Sequence, residues 1–173
     1  MRSLRHVDVM HLEAAQGWLE LDNHLEAKAE LDQIGSQFSK HPDVLEVRWK
    51  IYAKAQRWEA CLEIAEDLTD SAPRRPLGWL YLAASLSALK QPEEAYETLI
   101  DVAEDFPENA AIPYQLACYA CEIGETTEAL KWLQDAFDGG DVKELRALAL
   151  KDPALQPLWK HISNPQQKRP GDL

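Results

Sequence analysis

The stretch WLYLAASLSALKQPEEAYETLIDVAEDFP, residues 79–107, carries the pattern that decides the fold. Apolar and small residues recur at helical spacing, a break follows at Pro92, and a second helical pattern then runs to Pro107. Two helices can approach closely where Ala83 and Ala95 keep the side chains short, and Pro107 ends the second helix because proline has no amide donor. The stretch therefore predicts an antiparallel pair of helices, packed through Trp79, Leu82, Ala83, Leu86, Ala95 and Leu99.

Three other segments of the chain show a related pattern. Each contains an alanine that follows a short polar break, with an apolar residue four positions later. The four aligned alanines, at intervals of 33, 35 and 34, are Ala27, Ala60, Ala95 and Ala129. Near-regular repetition of this kind is typical of a solenoid, in which each helix pair packs against its neighbours.

The third unit resembles the tetratricopeptide repeat (TPR), whose pattern is W-x2-L-G-x2-Y, then A-x3-F, then P. The resemblance covers residues 8–140, and the chain as a whole is similar to uncharacterised bacterial TPR proteins in segments such as 5–20 and 113–119. It implies an all-α fold, a right-handed TPR-type superhelix of antiparallel helix pairs with a C-terminal capping helix.

Proline, glycine and polar breaks set the expected boundaries. The helices should pair as 6–21 with 24–38, 42–55 with 57–70, 76–89 with 92–105, and 109–122 with 126–138. We expect a single TPR-like domain over residues 1–162, with repeats at 8–40, 41–74, 76–108 and 110–140, capping helices at 141–162 and a mobile tail at 163–173. Asp141 should cap the first of these helices, with an apolar stripe at Leu145, Leu148 and Ala149. The last short helix should pack onto the same face through Leu155, Leu158, Trp159 and Ile162.

The resemblance also indicates where a partner would bind, because the first helices of successive TPR units line a concave groove. Counting three and four positions along these helices gives a mostly apolar and aromatic set. The predicted groove residues are Leu12, Gln16, Leu45, Trp49, Tyr52, Tyr81, Ala84, Tyr114 and Cys118. Exposed aromatic side chains need a cover, so we expect a non-catalytic protein-protein interaction module that binds a peptide or helix of a protein partner.

Other interpretations of the same residues remain open. The aromatic side chains could instead pack inside the superhelix, or be buried in a homodimer of a self-associating structural protein. Small acidic TPR proteins also include secretion-type chaperones that shield apolar segments of exported proteins. The Lys and Asn clamp of cochaperone TPR domains is absent from these positions, which hold Gln16, Trp49, Tyr81 and Ala84.

Composition excludes several classes of partner. A net charge of −12 disfavours nucleic acid, since phosphate binding relies on Lys and Arg. No membrane span is expected, because no sequence window is apolar and uncharged over the length that a spanning helix needs. Three cysteines do not form a disulfide framework, which favours a cytoplasmic protein.

No arrangement of residues indicates catalysis or a cofactor. The five histidines are scattered, and the chain has no nucleophile elbow, P-loop or dinucleotide fingerprint. Cys118 and Cys121 have the spacing of half a zinc site, but no second pair follows. We therefore expect both cysteines to pack or line the groove, with no enzymatic activity, no metal and no cofactor.

Overall fold

The structure, a computed structural model, describes residues 3–163, and these form helices and turns without any β-strand. The predicted all-α class is confirmed over that range. The α-helices are α1 His6–Glu20, α2 His24–Leu31, α3 Pro42–Lys54, α4 Trp58–Ser71, α5 Pro76–Ala88, α6 Pro92–Ile100, α7 Ala111–Glu122, α8 Thr126–Gly139, α9 Val142–Ala149 and α10 Trp159–Ser163. Short 3-10 helices occupy Ser36–Phe38, Ala103–Asp105 and Pro153–Leu158.

Local sequence chemistry sets four of the helix starts. Pro42, Pro76 and Pro92 occupy first turns, where the missing amide hydrogen has no helical partner to lose. The Asn23 side chain accepts from the Glu26 amide at the start of α2. These starts agree with the predicted ones. Two predicted helices are too long, however, because α2 and α6 each end early and are followed by a 3-10 turn instead.

One residue between the two helices of each predicted repeat has a positive φ. Positive φ values occur at Asp22, Gln56, Lys90 and Gly124, which are equally spaced along the sequence. Only Gly124 is a glycine, the residue that adopts this left-handed conformation without steric cost. The repeat length is therefore uniform along the chain, and the interval from Asp22 to Gln56 is called the repeat period below.

This uniform period corrects the alignment of the second unit. Ala27, Ala95 and Ala129 are fully buried, but Ala60 is only half-buried and its neighbour Cys61 is fully buried instead. With Cys61 as the aligned residue, the four positions are equally spaced and follow the repeat period. The interval pattern of 33, 35 and 34 was wrong because two small residues are adjacent at this point.

The chain divides into two compact units, Met1–Leu89 and Lys90–Leu173. The division falls between α5 and α6, the two helices of the third predicted repeat, so the expected single domain over 1–162 stays a prediction. In the first unit, α1 and α2 run antiparallel, since Asp8 accepts from the Gly35 amide at 3.1 Å and His11 lies 2.8 Å from Glu30. The core of this unit continues through α3 and α4 to α5.

The second unit has its own core, built by α7 and α8 and closed by the C-terminal helices. The Asp141 side chain caps α9 as predicted, accepting from the Lys143 and Glu144 amides. The predicted closure is present: Ala149, Leu155, Leu158 and Ile162 are buried, with Trp159 packed beside them. Leu148 departs from the expected stripe and is 51% exposed. Most of the predicted tail, residues 164–173, lies outside the described residues.

Candidate functional site

The first unit contains an open cleft with a volume of about 540 Å³, lined by α1 and α3. These are the first helices of two successive pairs, the surface that the sequence analysis assigned to a partner. Six of its seven lining residues form three pairs that are one repeat period apart in the sequence. The lining residues are Gln16, Leu19 and Glu20 on α1 and Trp49, Lys50, Ala53 and Lys54 on α3.

The apolar part of the cleft wall consists of Leu19, Trp49 and Ala53, all half-buried. Trp49 is held firmly. Its ring stacks on Tyr81 with the centroids 3.9 Å apart and the planes 3° from parallel, and its indole nitrogen donates to Ser85 Oγ at 3.0 Å. Ser85 Oγ in turn donates to the Tyr81 carbonyl at 2.8 Å. A ring fixed at two points presents a preorganised apolar surface.

Charged groups surround this apolar wall. Lys54 Nζ donates to Asp22 Oδ1 at 2.5 Å, and this hydrogen bond lowers the pKa of the Asp22 carboxyl. Glu20 and Lys50 are exposed and form no ion pair within residues 3–163. The cleft therefore combines an apolar wall with one cation and one anion available to a ligand.

The structure distributes the nine predicted groove residues unevenly. Gln16 and Trp49 line the cleft, and Tyr52 and Ala84 are half-buried outside its lining. The other five are buried: Leu12, Leu45, Tyr81, Tyr114 and Cys118. Exposed aromatic rings were expected at Tyr81 and Tyr114, and that expectation is wrong because Trp49 covers the first and the C-terminal segment covers the second. Partner binding through these residues stays a prediction.

The predicted groove lacked Glu20, Lys50, Ala53 and Lys54. For Lys50 and Ala53 the error follows from the one-residue misalignment of the second unit, because a uniform repeat period relates Gln16 to Lys50 instead of Trp49 and Leu19 to Ala53 instead of Tyr52. Glu20 and Lys54 are also one repeat period apart, but they are charged, so an apolar pattern does not reveal them.

In the second unit, predicted groove residues belong to a buried polar cluster. The Tyr114 hydroxyl donates to Asp152 Oδ2 at 3.1 Å, and the Cys118 thiol lies 3.7 Å from the same oxygen. Burial, reinforced by the Asp152 charge, raises the pKa of both Tyr114 and Cys118. This cluster fastens the C-terminal segment to α7 and leaves Cys118 inaccessible.

The environment of all three cysteines disfavours the thiolate, because burial raises the pKa of each thiol. All three are free, and burial raises the pKa of Cys121 to about 11. A thiol with a raised pKa is a poor nucleophile at neutral pH. No group of three or more His, Cys, Asp and Glu residues suited to a metal occurs among the described residues.

Residues 3–163 contain no helix long and apolar enough to cross a membrane. No protein-family model matches the chain, and no curated protein matches it significantly.

Solved structures do match the fold. The MamA fragment from residue 41 to the end, from Desulfovibrio magneticus RS-1, aligns with a TM-score of 0.69 and 16% identity over 93% of this chain and 94% of that one. A MamA RS-1 double mutant gives the same TM-score and identity, over 93% of each chain. YrrB, described as a TPR protein with an unusual peptide-binding site, aligns with a TM-score of 0.63 and 13% identity over 90% of this chain and 84% of its own. At these identities the likeness shows the fold, which is of the TPR type.

Proposed function

We propose that this chain of TPR-type fold is a non-catalytic interaction module, which binds an extended or helical segment of a partner protein in the cleft between α1 and α3. The observation that carries the proposal is the fixed ring of Trp49 in the cleft wall. An aromatic side chain that is already ordered loses little conformational entropy when a ligand covers it. Such rings are frequent anchors of protein interfaces.

The chemistry of the cleft describes the ligand it fits. The wall formed by Leu19, Trp49 and Ala53 suits an apolar side chain, and a volume of about 540 Å³ lies in the usual range for a binding pocket. Gln16 and Lys50 are exposed beside that wall and can hydrogen-bond to the carbonyl groups of a bound segment. A peptide fits both the apolar wall and these two donors if it has one apolar side chain and backbone carbonyl groups that are not already hydrogen-bonded.

Two further observations support a binding role over catalysis. YrrB, which shares the fold, is described as having a peptide-binding site. Burial raises the pKa of Cys61 and Cys121 to about 11, so that neither thiol is activated. The three free cysteines also fit a reducing compartment such as the cytoplasm.

The proposal can be tested with peptides selected on the wild-type protein from a displayed random library. The Ala53→Asp variant places a charge on the apolar wall, so selected peptides should bind it at least tenfold more weakly. Ala147→Asp, an exposed alanine on α9, is the matched control and should bind them like the wild type. Circular dichroism should show the same helicity for all three proteins.

Peptides that bind the Ala53→Asp variant and the wild type equally would place the binding surface elsewhere. A failure to select any peptide, combined with a concentration-dependent dimer in light scattering that Ala53→Asp abolishes, would assign the cleft to self-association instead.

A further inference from the structure

The side of α1 that faces away from its core carries an unpartnered apolar surface, here called the α1 stripe. It consists of Val7, Met10, Ala14, Gly17 and Leu21, which recur at helical spacing. Val7 is 49% exposed, Met10 56% and Leu21 72%. Three large apolar side chains exposed along one helix side at this spacing form a surface that a second helix could cover.

The other first helices show what occupies this position. Successive shifts by one repeat period relate Met10 and Gly17 to pairs of residues on α3, α5 and α7. All six equivalents are buried: Val44 and Ile51, Gly78 and Ser85, Ile112 and Tyr119. At the positions of Met10 and Gly17, α1 therefore carries the fourth copy of a surface that α3, α5 and α7 bury.

In each of the three cases the second helix of the preceding pair packs on the helix that carries these residues, and Ser85 also accepts a hydrogen bond from Trp49 of α3. Helix α2 packs on α3, α4 on α5 and α6 on α7. The approach is close at Gly78, where an added Cβ would lie 3.2 Å from Leu68 Cγ of α4. No such helix covers α1 within residues 3–163, as its exposure shows.

Gly17 supports the same conclusion. Glycine is disfavoured in the middle of a helix and needs a reason there. The chain itself provides none, since nothing lies within 4 Å of the position a Cβ would take. An incoming helix that packs as closely as α4 does on Gly78 would use that space.

One residue beside the stripe indicates the charge of the partner. Glu13 stands one repeat period before Val47 and two before Tyr81, which are both buried. Glu13 is exposed and has no ion pair within the described range. A covering helix would bring its side chains against this carboxylate, where a Lys or Arg would form an ion pair with it and an apolar side chain would bury it without a partner.

We propose that the α1 stripe binds an amphipathic helix of a partner protein, packed as α2, α4 and α6 pack on their neighbours, with a basic side chain opposite Glu13. This surface is separate from the cleft, so the two proposals can fail independently.

The test uses a synthetic peptide copied from α4, Trp58–Ser71, with Cys61→Ala, each Asp and Glu changed to its amide, and Ile64→Arg. Ile64 belongs to the buried cluster that contains Tyr81, the equivalent of Glu13. A side-chain staple on the outward side keeps the peptide helical, because isolated helices of this length are marginal. A matched peptide carries Ile64→Glu instead.

Fluorescence anisotropy should show that the arginine peptide binds the wild type at least tenfold more tightly than the glutamate peptide. Met10→Asp should weaken binding of the arginine peptide at least tenfold, whereas Leu148→Asp, at a similarly exposed leucine on α9, should not. Glu13→Arg should reverse the preference between the two peptides. Selected cleft peptides should bind all these variants unchanged.

Three results would overturn the proposal: no binding of the arginine peptide at millimolar concentration, equal binding of both peptides, or unchanged binding by Met10→Asp. A dimer in light scattering that Met10→Asp dissociates would also overturn it, since a second copy of the chain would then be the occupant.

Discussion

The contact between Trp49 and Ser85 should couple α3 to α5 energetically, and a double-mutant cycle can measure this coupling. Trp49→Phe keeps an aromatic ring but removes the indole donor, and Ser85→Ala removes the hydroxyl that accepts it at 3.0 Å. Ser85 is fully buried, so Ser85→Ala also loses its hydrogen bond to the Tyr81 carbonyl.

The expected magnitudes follow from these contacts. A neutral hydrogen bond contributes about 1 kcal/mol net, so Ser85→Ala should lower the free energy of unfolding by about 1–2 kcal/mol. Trp49→Phe should cost a similar amount, from the lost donor and the smaller stacked ring. The coupling free energy between the two changes should be about 1 kcal/mol, because both remove the same hydrogen bond.

Urea unfolding followed by far-ultraviolet circular dichroism gives the four free energies of the cycle. Ser71→Ala provides a control in the same unit, since its hydroxyl bonds to the Leu68 carbonyl and does not contact Trp49. Combined with Trp49→Phe, it should be additive within about 0.5 kcal/mol. A coupling between Trp49 and Ser85 no larger than that of the control would refute the role given to this hydrogen bond.

Three further changes have defined outcomes. The side-chain hydrogen bonds from Arg5 hold the pKa of Asp8 at about 2, well below its ordinary value, against an opposing effect of burial. This contribution to stability is complete above about pH 4 and is lost as the pH falls through about 2. Asp8→Asn should therefore destabilise the protein at pH 7 and flatten its acid-unfolding curve, and an unchanged curve would contradict this. Gly17→Ala should raise the free energy of unfolding by about 0.5–1 kcal/mol, because alanine favours a helix and meets no obstruction; a loss of stability in urea would show that the space is occupied. Tyr114→Phe should lower the free energy of unfolding by about 1–2 kcal/mol, because it removes the hydrogen bond to Asp152. An unchanged free energy of unfolding would mean that packing alone holds the C-terminal segment.

Much of the fold could be predicted because the signals are local. Pro76 and Pro92 mark helix starts through their fixed φ, and Asp141 marks another through its capping side chain. The buried C-terminal residues Leu155 and Leu158 could be predicted from the need of a terminal repeat for a cover.

The cleft could be predicted only in part, for a reason that one position illustrates. Ala15, Ala83 and Ala117 are buried small residues at equivalent positions of their units, and the equivalent residue of the second unit is Trp49. Because the other units have a small residue at this position, the large ring of Trp49 makes the second unit difficult to align with them from sequence. The structure accommodates the Trp49 ring by stacking it on the ring of Tyr81.

The recurring left-handed turn bears on how far such repeats can diverge. Its four central residues, Asp22, Gln56, Lys90 and Gly124, have one backbone conformation but share no side-chain chemistry. Three of the four are not glycine, so the local structure must stabilise a conformation that such residues adopt only rarely. Substitutions can accumulate at this position without changing its backbone conformation, so related repeats can lose their sequence similarity here.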